Sequence, residues 1–259
     1  NTPSEGVTTE DGTQAPENSS GEETTQPGED QSGEEDTSND EILQPDDPQY
    51  EIAKQFKNVL ISAVYGTGQN KDAAVGHGFI QLYNTGTESV SLAGAALYYR
   101  EDTGDAYRQF AFSKDASIAP GGYYLIRMQA ARENNGEAYD ASFAVLSIDS
   151  YDAEWAVILD NKDMQISLAP AGQDVDDATA VESIAGTVSY FVAAELGYDS
   201  HYAVDNMSKS KVAVRTALKH YSGFHKVNLN ESTTAQLEQV CPESSQGKNT
   251  VVGSRVNEV

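Results

Sequence analysis

Long apolar runs are missing from this 259-residue chain, and no stretch approaches the roughly 18 consecutive apolar residues of a membrane-spanning helix. Cysteine is nearly missing as well. Cys241 stands alone, which excludes an intrachain disulfide and any scaffold built on one, and leaves the redox compartment open. Positive charge is scarce: 16 Lys and Arg face 41 Asp and Glu, a formal net charge of −25. Affinity for nucleic acid is built from Lys and Arg contacts to phosphates, so a chain this acidic excludes nucleic acid and anionic lipid as general partners. Cations, basic proteins and neutral glycans remain compatible with it.

The imbalance is concentrated at one end. Residues 1–50 hold 15 acids, no Lys or Arg and five of the eight prolines. Such a segment repels itself and has too little apolar surface to offset the entropy of ordering. It is expected to be a disordered, Ser/Thr/Pro-rich leader. Its composition reads as a surface tether, placing the protein outside the cell or at the cell surface, and as a flexible coil it reaches roughly 40 Å. The expected division is therefore a leader over 1–50, one folded domain over 51–225, and a short helix with a polar tail over 226–259.

Within 51–259, 26 acidic and 16 basic residues remain, and turn residues punctuate short apolar segments. Residues 51–57 suit one helical turn. Residues 58–65 (NVLISAVY), 78–83 (GFIQLY), 89–93, 95–101 (AALYYRE), 106–112 (AYRQFAF) and 123–128 (YYLIRM) read as strands. Asn84-Thr85-Gly86 and Pro120-Gly121-Gly122 supply turns, since Asn and Gly tolerate positive φ. Further strands are expected over 155–159, 164–168 and 184–192. Residues 209–218 read as a short helix or an ordered crossing. Residues 233–240 read as a helix capped by Thr233 or Ser232 and closed by Pro242, and 243–259 as a loose tail. Turns every 8–12 residues indicate an all-β sandwich or barrel.

Four segments, in order, resemble the bacterial lamin-tail domain, an immunoglobulin-like β-sandwich. They are VLISAVY (59–65), GFIQLYNTG (78–86), VSLAGAAL (90–97) and IAPGGYYLIR (118–127). MQISLAP (164–170) and residues 181–188 continue in register. Gly78 and Gln81 stand where the family usually has Asp and Glu, Ala63 where Glu is frequent, and Ala95 where Trp is frequent; Tyr98 or Tyr99 is a replacement for that packing. The resemblance implies an all-β, immunoglobulin-like sandwich with one or two short helices near the C-terminus. It also implies a non-catalytic accessory or interaction role on a secreted or surface protein.

Residues able to carry chemistry are few. His77, His201, His220 and His225 lack metal-ligand spacing, and no Cys/His set accompanies them. Asp160-Asn161-Lys162-Asp163 and Asp174-Val175-Asp176-Asp177 offer oxygen ligands that Ca²⁺ accepts, but neither follows the EF-hand pattern, and solvated turns are the plainer account. Cys241 precedes Pro242 with no neighbouring His, no G-x-S-x-G elbow occurs, and Gly247-Lys248-Asn249-Thr250 lacks the upstream glycine of a P-loop. The 14 tyrosines stand out, with doublets at Tyr98-Tyr99 and Tyr123-Tyr124. Neighbours in a strand point to opposite faces, so each doublet is expected to place one ring in the core and one outside. These four are the candidate partner-binding aromatics, with stiffening cross-strand pairs as the plainer account.

The reading is a non-enzymatic interaction or structural module with no catalytic residues and no resident cofactor, binding protein or cell-wall glycan. A calcium-dependent lectin or hydrolase using the acidic loops is the alternative from another class. An accessory domain of a larger surface enzyme is the third.

Overall fold

The computed structural model describes residues 57–66, 72–101, 106–130, 135–137, 139–160, 165–172, 208–219 and 222–258. The leader, all but the last residue of the helical turn expected over 51–57, the strand expected at 184–192 and the acidic loop 174–177 lie outside the described residues.

Strands run in the order β1 (Val59–Tyr65), β2 (Phe79–Asn84), β3 (Val90–Ser91), β4 (Ala95–Arg100), β5 (Arg108–Ala111), β6 (Ser117–Ile118), β7 (Tyr123–Met128), β8 (Ala153–Trp155), β9 (Gln165–Pro170), β10 (Lys211–Arg215) and β11 (Phe224–Asn228). A helix α1 (Thr234–Val240) and a small hairpin of β12 (Glu243–Ser244) and β13 (Gly247–Lys248) follow. One sheet has the order β11-β10-β1-β2-β7-β8, antiparallel except for the short β7–β8 pair. A second has the order β5-β4-β9, and β3 pairs with β6. The protein is an all-β, immunoglobulin-like sandwich.

Alternation explains how the sheets face each other. Ile80 and Leu82 of β2, with Tyr124, Ile126 and Met128 of β7, meet Ala95, Leu97 and Tyr99 of β4 and Ile166 and Leu168 of β9 in the main core. β1 breaks the alternation. Val59 and Ile61 point inward, yet so does Val64, because the register with β2 slips between Ile61 and Ala63. Ser62 is the extra residue of this bulge, and its hydroxyl donates to the Gln81 carbonyl at 3.1 Å. The slip turns Ala63 and Tyr65 to the outer face beside Phe79 and Leu125.

That outer face is covered. Val145, Leu146 and Ile148, together with Leu229, Leu237 and Cys241, close a second core over it, which is why all seven residues of β1 are buried. The loose tail expected over 243–259 is thus corrected for the described residues. Ser244 and Asn249 are buried, and Asn249 binds Asp149 N, Ser150 N and the Pro242 carbonyl. Residues 209–218 also differ from the helix or crossing expected of them. Val212 and Val214 pack outward and Ala213 inward, a period of two that places β10 in the ladder beside β1. The strand expected at 155–159 is shifted to β8; beyond it Val157 N turns back to the Trp155 carbonyl. Thr233 is the cap of α1, in a reciprocal box with Gln236.

Two turn glycines act differently from one another. Gly121 has φ +63°, a conformation that favours glycine. Gly86 does not have a positive φ; a Cβ there would stand 3.1 Å from Asn84 Oδ1, which its hydrogen bonds hold in place, and 2.8 Å from Nδ2 of the exposed Asn58, which can move aside.

Candidate functional site

Of the two tyrosine doublets, Tyr123-Tyr124 divides as alternation suggests and Tyr98-Tyr99 does not. Tyr98, Tyr99 and Tyr124 are all buried, and only Tyr123 is half-exposed. Tyr99 points into the main core, edge-on to Trp155 at 6.4 Å, and its hydroxyl accepts from Asp160 N at 2.7 Å. Burial pushes its pKa up. Tyr98 points the other way and is buried all the same. It packs with Ala96, Ala169 and Tyr107 and donates to the Pro170 carbonyl at 2.9 Å, because both faces of β4 carry cover. Tyr124 lies edge-on to Phe112 at 5.7 Å. Three of the four rings thus brace the sandwich.

Tyr123 acquires a partner that pattern reading missed. Its cross-strand neighbour is Tyr83 on β2, with ring centroids 4.9 Å apart and rings tilted by 48°. Both rings are half-buried. The pair sits on the outer side of the six-stranded sheet. Burial raises the Tyr123 pKa, and the charge of Glu243 acts in the same direction. Register is what pairs Tyr83 with Tyr123; neither residue signals the other in the chain.

A cleft of about 320 Å³ opens at the far end of β7 and β8, lined by His77, Arg127, Gln129, Glu154 and Trp155 among others. His77 is half-buried, and its Nδ1 donates to the Met128 carbonyl at 3.1 Å, leaving Nε2 as an acceptor. Burial holds its pKa below the ordinary histidine value, and the nearby Arg127 charge pulls the same way. Arg127 is fully engaged. It donates to Glu154, to Tyr151 Oη at 2.8 Å and to the Ile148 carbonyl at 3.3 Å, and it lies 3.7 Å over the Tyr151 ring. Its hydrogen bonds hold the Glu154 carboxyl below the usual carboxylate range. The cleft therefore presents one neutral imidazole acceptor and a neutralised ion pair. Arg127, Glu154 and Trp155 carry no local motif that marks them in the sequence.

Cys241 is buried, and that burial pushes its thiol up to about 11, which suppresses nucleophilicity at neutral pH. His225 is exposed on β11; His201 and His220 lie outside the described residues. Of the two acidic loops considered for Ca²⁺, Asp160 alone is described, and its amide serves Tyr99. Among the described residues no group of three or more His, Cys, Asp or Glu converges as a metal would require.

Gln81 and Asn84, both in the segment that carries the family resemblance, are structural. Gln81 Nε2 donates to Ser62 Oγ at 2.8 Å, and its Oε1 accepts from Glu243 N at 2.7 Å, tying the outer hairpin to the sheet. Asn84 is wholly buried and joins two segments: Nδ2 donates to Glu88 O, Ile118 O and Ala119 O, and Oδ1 accepts from Gly86 N.

No curated protein matches the chain. The family model of the Lamin Tail Domain matches residues 53–182, half of the chain, and covers β1 through β9. The immunoglobulin-like sandwich agrees with that match, and the chain belongs to the lamin tail domain family, whose members are non-enzymatic immunoglobulin-like domains.

Proposed function

We propose that this chain is a non-catalytic interaction module of a secreted or surface protein, holding a protein or cell-wall glycan partner on the outer side of its six-stranded sheet. The observation that carries this reading is the Tyr83–Tyr123 pair, two half-buried rings in contact at 4.9 Å with solvent access. Rigid aromatic pairs offer large contact area at low entropic cost, and their hydroxyls add hydrogen bonds. The reactive groups elsewhere favour the same reading, since Cys241 is sequestered and Arg127 is saturated. The acidic composition of residues 1–50 supports a tethered, extracytoplasmic placement.

The test is a binding screen of the intact chain against cell-wall glycans and surface proteins, repeated with Tyr83→Ser/Tyr123→Ser. A partner that binds the parent and is lost with the double substitution supports the proposal. Uniform absence of binding, together with turnover of any substrate, overturns it.

A further inference from the structure

Three polar groups around the cleft at the end of β7 and β8 are left over by the fold. The walls of this cleft, of about 320 Å³, are all described residues. His77 is held by Nδ1, which donates to the Met128 carbonyl at 3.1 Å, and no described residue takes its Nε2 lone pair. Glu154 is held by one oxygen. Its Oε1 accepts from Arg127 Nε at 3.0 Å and from Arg127 Nη2, and Oε2 has no partner among the described residues. Gln129 is tied by its backbone N–H to the Trp155 and Val157 carbonyls, each at 3.0 Å, while its exposed side-chain amide has no partner among the described residues. Trp155, the chain's one tryptophan, closes one wall.

These groups are fixed in place and, taken together, uncharged. Arg127 also donates to Tyr151 Oη at 2.8 Å and to the Ile148 carbonyl at 3.3 Å, and it lies 3.7 Å over the Tyr151 ring, so the carboxylate that it grips is anchored. Guanidinium and carboxylate cancel, and burial keeps His77 neutral at neutral pH. An anion would meet Glu154 and a cation would meet Arg127, and either would give up hydration without a counter-charge of its own. What remains is two acceptors, Nε2 and Oε2, and an amide that both donates and accepts. That set suits adjacent hydroxyl groups, each of which gives one proton and receives another. An extended peptide has one N–H donor per residue and calls for a strand edge rather than a cleft. Ligand cavities run from about 300 to 1,000 Å³, so this one, at the small end, takes a single ring and no long chain.

We propose that this cleft binds one neutral sugar ring of a glycan, whose hydroxyls donate to His77 Nε2 and Glu154 Oε2 and accept from the Gln129 side-chain amide, with Trp155 alongside. This rests on the reading of the domain as an interaction module and names one class of partner for it. The cleft is separate from the tyrosine pair. Register puts Arg127 opposite Phe79 at one end of the β2–β7 pair and Tyr123 opposite Tyr83 at the other, roughly 13 Å away along the strand. Affinity for a single ring is on the order of millimolar, since each hydrogen bond replaces one already made to water.

The experiment titrates the intact chain with methyl β-D-glucopyranoside, methyl β-D-galactopyranoside and N-acetylglucosamine, each to about 50 mM, and reads Trp155 fluorescence and saturation-transfer NMR of the sugar. Cyclohexanol, glucuronate, protonated glucosamine and an acetylated, amidated Ser-Gly dipeptide are the comparators. At least one neutral sugar should bind saturably and more tightly than every comparator. His77→Phe keeps a ring but removes Nε2 and should weaken that sugar by about tenfold, and Gln129→Ala should weaken it by about threefold. Gln129 is exposed and its side chain is bonded to no described residue, so an unchanged urea midpoint in Gln129→Ala separates a lost contact from lost folding. Tyr83→Ser/Tyr123→Ser should leave sugar binding unchanged. No saturable response to any of the three sugars, equal or tighter binding of a comparator, or undiminished affinity in either cleft variant would each overturn the proposal. If the sugars fail while a partner still depends on the tyrosine pair, the sugar cleft falls and the module reading stands.

Discussion

Asn84 offers the sharpest test of how the sandwich is held. Its side chain is wholly buried and donates to Glu88 O at 2.7 Å, Ile118 O at 3.0 Å and Ala119 O at 3.2 Å, while accepting from Gly86 N at 2.8 Å. Asn84→Ala strands these groups. The Ile118 contact is the most deeply buried, and the Gly86 amide loses its acceptor. A buried polar group left without a partner costs about 1–3 kcal/mol, and water can reach the Glu88 side, so the total should be about 3 kcal/mol. With a urea slope of about 2 kcal/mol/M, the midpoint should fall by about 1.5 M. Trp155 is the chain's one tryptophan and sits in the main core against Phe110 at 5.5 Å, so its fluorescence reports the transition directly. Asn84→Asp should be worse at neutral pH, because a carboxylate would face three carbonyl oxygens. The folded chain would then hold its proton more tightly than the unfolded chain, so the deficit should shrink on acidification as the protonated acid regains one donor. A midpoint shift below about 0.3 M for Asn84→Ala, or no acid recovery for Asn84→Asp, would refute this account of the turn.

Other outcomes follow from the same geometry. Gly86→Ala should cost about 1–3 kcal/mol in urea denaturation, since the new Cβ would stand 3.1 Å from Oδ1 of the anchored Asn84, which cannot retreat; an unchanged midpoint would contradict it. Cys241, with its thiol pushed up to about 11, should react slowly with a thiol reagent at pH 8 in the native chain and rapidly in denaturant. His77 has a folded pKa depressed by burial, so its contribution to stability is present above the unfolded value near 6.5 and is lost as pH falls through the folded pKa. Replacing it with Gln should flatten the stability–pH curve between about pH 7 and 5, measured by urea midpoints.

The strands rich in β-formers were legible from residues alone. Phe79–Asn84 and Tyr123–Met128 are short runs of aromatic and aliphatic residues bounded by turn signals, and Thr233 followed by Gln236 three positions later marks a capped helix. The family resemblance in residues 59–127 is readable for the same reason, since turns such as Pro120-Gly121-Gly122 are imposed by local backbone chemistry. What alternation could not show was the Ser62 bulge, which exchanges the two faces of β1 partway along it. Nor could it show that the outer faces would be covered: the second core buries Tyr65 on one sheet, and a separate cluster with Ala96, Ala169 and Tyr107 buries Tyr98 on the other.

Local sequence determined which segments could be strands, where the chain must turn and how its charge is distributed. Tertiary structure alone decided which rings meet and which faces see water. Tyr83 reaches Tyr123, Gln81 reaches Glu243, and Arg127 reaches Glu154 across separations of 40, 162 and 27 residues, set by strand register and sheet order. Side-chain period is a property of a few neighbouring residues. Burial is a property of everything packed over them, and it is cover on both faces of β4 that put Tyr98 as well as Tyr99 in the core.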